Sequence, residues 1–186
     1  MRIIAGCARR TTLVAPIGLD TRPTPDMAKE SLFNIISSDI HGARFLDLFS
    51  GSGAIGLEAL SRGASEAVFV ENAMPAARAI KENIKKTGLC DKAVLMEMSV
   101  TCAVSKLHDE GRSFEIIFLD PPYDTELAQQ TLTILATTGL LARGGMIIAE
   151  TDKKISPQLA ENVPCNLCLA DTRTYGRASF MFYRGA

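Results

Sequence analysis

Residues 46–56 read Leu46-Asp47-Leu48-Phe49-Ser50-Gly51-Ser52-Gly53-Ala54-Ile55-Gly56. An apolar run enters a glycine turn, and a stretch with helical spacing leaves it. Gly51, Gly53 and Gly56 meet the G-x-G-x-x-G spacing, which permits a tight turn and lets a ligand approach the backbone. A loop of this kind, at the carboxyl end of a first strand, takes a nucleotide-like ligand. Glu71 closes the next apolar run, where a carboxylate accepts hydrogen bonds from a ribose diol. A glycine loop that serves only close packing of helix on strand is the plainer alternative.

Asp47 narrows the ligand. An anion just before the loop repels a pyrophosphate, as in a nicotinamide dinucleotide, but pairs with the ammonium of an amino-acid tail. S-adenosylmethionine has such a tail.

Working outward from the loop, apolar runs recur at 44–49, 67–71, 93–98, 115–120 and 146–150, each short and bounded by Gly, Ser, Pro or charge. Between them, 55–62, 75–87, 100–109 and 125–137 have helical spacing, with Gly88 and Gly139 placed as C-terminal stops. Near-continuous apolar strands alternating with helices predict a parallel sheet covered on both faces, a doubly wound α/β fold. The rhythm then changes. Segments 166–171 and 178–183, with Gly176 between them, predict an antiparallel hairpin at the sheet edge. At the other end, 2–6 and 11–15 predict a small hairpin around a basic stretch. A helix follows, with Thr24 as N-cap, Pro25 at its first position and an apolar stripe of Met27, Leu32, Ile35 and Ile36.

The chain has 186 residues, 47% hydrophobic and 22% charged, enough for one core and in keeping with a single domain. No apolar stretch approaches the roughly 20 residues that span a bilayer, and the first residues lack the apolar segment of a signal peptide. The expectation is a cytoplasmic protein without a membrane partner. Five cysteines, an odd and scattered count, argue for free thiols in a reducing compartment. Cys165-Asn166-Leu167-Cys168 is a single C-x-x-C with no matching pair, so no metal is expected. Arg143-Gly144-Gly145 reads as a turn ahead of the fifth strand.

A net charge of -1 excludes a protein that coats nucleic acid indiscriminately, but the average hides a pattern. Residues 1–22 carry +3, from Arg2, Arg9, Arg10 and Arg22 against Asp20. Residues 173–186 carry another +3, leaving -7 for the middle. Basic ends on an acidic body suit a protein whose extremities touch phosphates.

The second motif is Ile116-Ile117-Phe118-Leu119-Asp120-Pro121-Pro122-Tyr123. Two prolines make the turn rigid and remove two backbone donors, leaving carbonyls as acceptors. A planar amine fits such a site, donating to Asp120 and to the Pro121 carbonyl while Tyr123 stacks on the ring.

With these residues in view, the chain resembles the S-adenosylmethionine-dependent methyltransferases that act on exocyclic amino groups of bases, whose signature is Asp-Pro-Pro-Tyr after an apolar strand. Four ordered blocks make it similar to the bacterial small-subunit (16S) ribosomal RNA guanine-N2 methyltransferases: Arg2-Ile3-Ile4-Ala5-Gly6, Arg22-Pro23-Thr24-Pro25-Asp26, Lys29-Glu30-Ser31-Leu32-Phe33-Asn34, and 46–53 of the glycine loop. The resemblance implies a Rossmann-like catalytic core (23–186) with a seven-stranded sheet, and an RNA-facing hairpin extension (1–22). It implies that Asp47, Gly51 and Gly53 flank the methionine part of the cofactor, that Glu71 holds its ribose, and that Phe49 and Asp120 also belong to the cofactor site. Thr24, Phe33 and Asn34 would close the cofactor side. Asp120, Pro121, Pro122 and Tyr123 would hold the guanine amine, and Arg2, Arg9, Arg10 and Arg22 the RNA, free or in the assembled subunit. Relatives carry an aspartate after the third strand for the adenine amine; this chain reads Met96-Glu97-Met98-Ser99, so Ser99, Glu97 or the backbone takes that contact. Ala5 and Cys7 stand where the family has glycine and a basic residue. An adenine-N6 methyltransferase, a nicotinamide-dependent oxidoreductase and an RNA-binding protein with a retired pocket are the competing readings.

Overall fold

The computed structural model describes residues 1–16, 25–122 and 125–186. Seven strands form one sheet: β1 (Arg44–Leu48), β2 (Glu66–Val70), β3 (Ala93–Met96), β4 (Phe114–Leu119), β5 (Leu141–Asp152), β6 (Leu167–Tyr175) and β7 (Ala178–Gly185). Their spatial order is β3-β2-β1-β4-β5-β7-β6. The first five strands pair in parallel, and β7 runs antiparallel to both β5 and β6. This is the doubly wound α/β sheet with a C-terminal hairpin that the rhythm of the sequence predicts.

The helices are α1 (Asp26–Ile35), α2 (Ser37–Ile40), α3 (Ala54–Ser61), α4 (Met74–Thr87), α5 (Val100–Asp109), α6 (Thr125–Thr138) and α7 (Ser156–Glu161). Strand side chains alternate between the two faces, so one apolar run feeds two cores. Phe45, Phe69, Ile116, Phe118 and Ile148 pack beneath α1, α3 and α4 with Leu32, Leu57 and Ile80. Leu46, Val68, Ile117, Leu119 and Ile147 face α5, α6 and α7, against Val104, Leu132 and Leu159.

Several local expectations change. Arg143–Gly145 lies within β5 rather than in a turn before it: Leu141 already pairs with Phe114 and Met146 with Ile116, so the intervening residues bulge from the strand. β3 stops at Met96 because Met98 N–H turns back to the Met96 carbonyl at 3.0 Å. β6 runs to Tyr175, with an irregularity between Leu169 and Asp171. The helix after the N-terminal segment has Pro25, not Thr24, at its N-cap position, with no side-chain cap; Thr24 lies outside the described residues.

The predicted N-terminal hairpin is short: an antiparallel bridge, Arg2 with Thr12, with Ile3 N–H donating to the Thr11 carbonyl at 3.0 Å, Arg10 N–H to the Ile3 carbonyl at 2.9 Å and Leu13 N–H to the Met1 carbonyl at 3.1 Å. α3 anchors the backbone between its arms. Ile4 and Ala5 N–H groups donate to the Glu58 carboxylate at 2.8 and 3.0 Å, and Cys7 N–H to the Ser61 carbonyl at 2.9 Å. Ile3 and Leu13 are buried in the core, so this segment is part of the packing. Asn83 on α4 completes the attachment, accepting from Val14 N–H at 2.7 Å and donating at 2.9 Å to both the Val14 and Ser52 carbonyls.

Candidate active site

Parallel strands end at a common edge, and their register decides which residues meet there. Leu48 pairs with both Val70 and Leu119, and Leu119 with Ala149. The next residue of each strand or following loop is therefore Phe49, Glu71, Asp120 or Glu150, side by side along the sheet. All four line one cleft of about 1000 Å³, large enough for a nucleoside-sized ligand and part of an acceptor. Asp47, Gly51, Pro121 and Pro122 also line it, and Met1, Pro16 and Met27 add an N-terminal wall.

The glycine loop is built by short hydrogen bonds. Ser50 Oγ donates to the Asp47 carbonyl at 2.7 Å and accepts from Val70 N–H at 3.0 Å, tying the loop to β2. Phe49 has φ 63°, an uncommon value for a side chain other than glycine, so the turn carries local strain beside the cleft. Gly53, at φ 76°, caps α3 in the left-handed region. Gly56 has a different duty: a Cβ there would stand 2.4 Å from the Phe69 ring, so only glycine lets α3 lie this close to β2.

Two carboxylates brace this loop. Glu71 accepts from Gly51 N–H at 2.9 Å and from Ala73 N–H at 2.8 Å, leaving lone pairs toward the cleft. Asp47 accepts from Gly56 N–H at 3.0 Å. Burial pushes the Asp47 carboxyl up to about 7, against the lowering effect of that amide, and the Glu71 charge adds to the rise. A cation entering the cleft would restore its ionised form.

Asp120 follows β4 at the edge of the sheet, half-buried in the cleft wall. Burial raises its pKa well above the usual carboxylate range, and the charges of Glu150 and then Asp47 raise it further. Glu150 is the site residue that sequence reasoning missed. Its signal was available: like Glu71 and Asp120 it closes an apolar run of the sequence, although β5 itself continues to Asp152. Tyr123 lies outside the described residues.

The remaining candidates are dispersed. Phe33 is fully buried in the core under the Arg62 guanidinium, 5.0 Å from its ring centroid, and Asn34 is exposed; neither lines the cleft. Ser99 caps α5, accepting from Cys102 N–H at 3.3 Å, and Glu97 pairs with Lys81; both stand away from the cleft wall. Arg9 and Arg10 are exposed on the N-terminal turn, Arg2 pairs with Asp26 at 3.1 Å, and Arg22 lies outside the described residues. All five cysteines are free and exposed. Among the described residues, no cluster of His, Cys, Asp or Glu is arranged to hold a metal, and no helix is long and apolar enough to cross a membrane.

The family described as conserved hypothetical protein 95 matches residues 1–184, almost the entire chain. The chain belongs to this family. Among its relatives is a Bacillus subtilis protein named as an rRNA methyltransferase, YlbH, 36% identical over 99% of this chain and 98% of its own length. Ribosomal RNA small subunit methyltransferase D of Escherichia coli strain K12 is 34% identical, over 99% of this chain and 89% of its own. The solved structure of an Escherichia coli protein named as a methyltransferase, yhhF, superposes with a TM-score of 0.82 at 34% identity, covering 100% of this chain and 97% of that one. This is a methyltransferase family, and the cleft at the carboxyl edge of the sheet is where its chemistry is to be sought.

Proposed function

We propose that the protein transfers a methyl group from S-adenosylmethionine to the exocyclic N2 amine of a guanine in small-subunit (16S) ribosomal RNA. The observation that carries this reading is the convergence of Asp47, Glu71 and Asp120 on one cleft. The names of the relatives support the ribosomal substrate.

The donor set fits the cofactor. Asp47 faces the cleft as a carboxyl that a cation would ionise, matching an ammonium tail, and Glu71 offers acceptors to ribose hydroxyls. When bound, S-adenosylmethionine supplies an activated methyl group on a cationic sulfonium. The protein then has to align the amine behind that methyl and exclude water. Asp120 and the Pro121 carbonyl accept from the amine, drawing its lone pair out of conjugation with the ring, and the Asp120 carboxylate stabilises the positive charge that develops there. Tyr123 stacks on the unstacked base, an interaction worth roughly 1–3 kcal/mol.

The chain works as one domain whose N-terminal 22 residues face the RNA. Arg2, Arg9, Arg10 and Arg22 hold its backbone, and the reaction belongs to the cytoplasm.

The test is transfer of labelled methyl from S-adenosylmethionine to small-subunit RNA, free and within the particle, taken from cells lacking this protein, followed by nucleoside analysis. Label in N2-methylguanosine is expected. Label in N6-methyladenosine would move the assignment to adenine, and no label in either would show that the acceptor is another molecule.

A further inference from the structure

We propose that Arg177, in the turn between β6 and β7, grips the phosphate of the RNA nucleotide whose base enters the cleft, turning from Asp152 to do so. This rests on the RNA reading above and adds a contact at the end of the cleft away from the cofactor.

The sheet order divides the cleft. Asp47 lies in β1, Glu71 follows β2 and Asp120 follows β4, while β5, β7 and β6 lie beyond. The cofactor's carboxylates stand on one side of Asp120, and Thr151, Asp152 and 174–178, which also line the cleft, on the other. An acceptor reaching Asp120 enters over this second half. The strands there rise past the level of Asp120. Leu119 pairs with Ala149, which sets Asp120 level with Glu150, whereas the Arg177 carbonyl accepts from Lys153 N–H at 2.9 Å. The offset along the strand is about 10 Å at about 3.3 Å per residue. It matches the reach of one nucleotide from base amine to phosphate.

Charge singles out the residue. The carboxyl groups of Asp120, Glu150 and Asp152 line this half, an unfavourable setting for a phosphodiester unless a cation meets it. Among the described residues lining the cleft, the side-chain cations are Lys29 and Arg177. Lys29 is buried against Glu58 at 3.2 Å, whereas the Arg177 side chain is 66% exposed. The other arginines of the basic C-terminal end stand away from the cleft wall: Arg173 Nε meets Asp171 at 2.7 Å, and Arg184 donates to the Gly144 carbonyl at 2.8 Å.

The support is rigid and the partner is easily left. Gly176, at φ 63°, makes the two-residue turn between Tyr175 and Ala178, which pair across it. Asp152 holds the guanidinium at 3.5 Å, a long pair open to solvent on the arginine side and worth little. Asp152 also accepts from Lys154 N–H at 2.9 Å, a bond it keeps when Arg177 turns away. The planar guanidinium then offers a phosphate two parallel donors.

The test measures kcat/KM for small-subunit RNA, in the state that the wild type methylates, across a series of salt concentrations. Arg177→Gln keeps a donor for Asp152 and loses the charge; thermal melting and S-adenosylhomocysteine affinity check its fold. Its kcat/KM is expected to fall about tenfold, and the slope of log kcat/KM against log salt to become shallower by about one, with S-adenosylhomocysteine affinity unchanged. Asp152→Asn, which frees Arg177, is expected to raise kcat/KM severalfold. An unchanged value and slope in Arg177→Gln, or a value that does not rise in Asp152→Asn, overturns the proposal and leaves the RNA reading standing; a fall in both variants would make the pair a strut of the hairpin. Should Arg177→Gln not fold, Asp152→Asn decides by the same criterion. A wild type that methylates no RNA overturns the RNA reading itself, and the proposal with it.

Discussion

Lys29 Nζ lies 3.2 Å from Glu58 Oε2, with 2% and 0% of the two side chains exposed. Burial lowers the Lys29 pKa, and the Glu58 carboxylate opposes that shift. Glu58 also meets Arg62 Nε at 2.8 Å and the two N-terminal amides, while Lys29 donates to the Arg2 carbonyl at 2.6 Å. One carboxylate therefore joins α1, α3 and the first residues of the chain. Glu58→Ala strands a buried ammonium and two amides together and should cost about 3–5 kcal/mol in urea unfolding. Lys29→Met should cost less, because Glu58 keeps Arg62 and both amides.

Gly56→Ala places a methyl group 2.4 Å from the Phe69 ring. Either α3 moves from β2 or the ring turns, and both disturb the amide that Gly56 donates to Asp47. A loss of about 1–3 kcal/mol is expected, together with weaker S-adenosylhomocysteine binding by calorimetry. A stable variant with unaltered affinity would show that the loop does not depend on this contact.

Asp47 couples stability to pH. Its folded pKa, about 7, is above the ordinary carboxylate value, so its contribution to stability is full below about pH 4 and is lost as pH rises to about 7. The ligand-free Asp47→Asn protein should therefore melt above the wild type at pH 8 and level with it near pH 4. Affinity of the wild type for the ammonium-bearing S-adenosylhomocysteine should rise with pH toward 7 and then flatten, a trend absent in the variant.

Asp120→Ala should lower methyl transfer by about a thousandfold while leaving S-adenosylhomocysteine affinity nearly intact. Equal loss of both would assign Asp120 a structural role. Because burial, Glu150 and Asp47 all raise its pKa, wild-type kcat should increase with pH above the usual carboxylate range as the accepting carboxylate forms.

Arg9 and Arg10 are exposed on the N-terminal turn, just after Cys7 and Ala8, whose N–H groups donate to Ser61 at the C-terminal end of α3. If each neutralises a phosphate, each Arg→Ala substitution should reduce the slope of log affinity against log salt by about one, measured with small-subunit RNA, without altering cofactor binding. An unchanged slope would place the RNA elsewhere.

Much of this molecule follows from local pattern. The alternation of apolar runs with helical spacing determined a doubly wound sheet, since strands apolar on both faces need helices on both sides. The glycine loop, Glu71 and Asp120 were legible because each terminates a strand, and parallel strands deliver their ends to one edge. Phe33 illustrates the opposite case. The resemblance sets it with the cofactor, yet it is in the core, because a helix residue's surroundings depend on what packs over it.

Long-range contacts required the folded chain. Glu58 reads as one more charge on a helix, and only its closeness to residues 4, 5 and 29 makes it the anchor of the N-terminal segment. Sequence determined that Asp120 and Glu150 each close an apolar run; the register of β4 with β5 in the tertiary structure made them neighbours. Burial and register set the charge of each carboxyl by the others around it, and no spacing along the chain encodes that proximity.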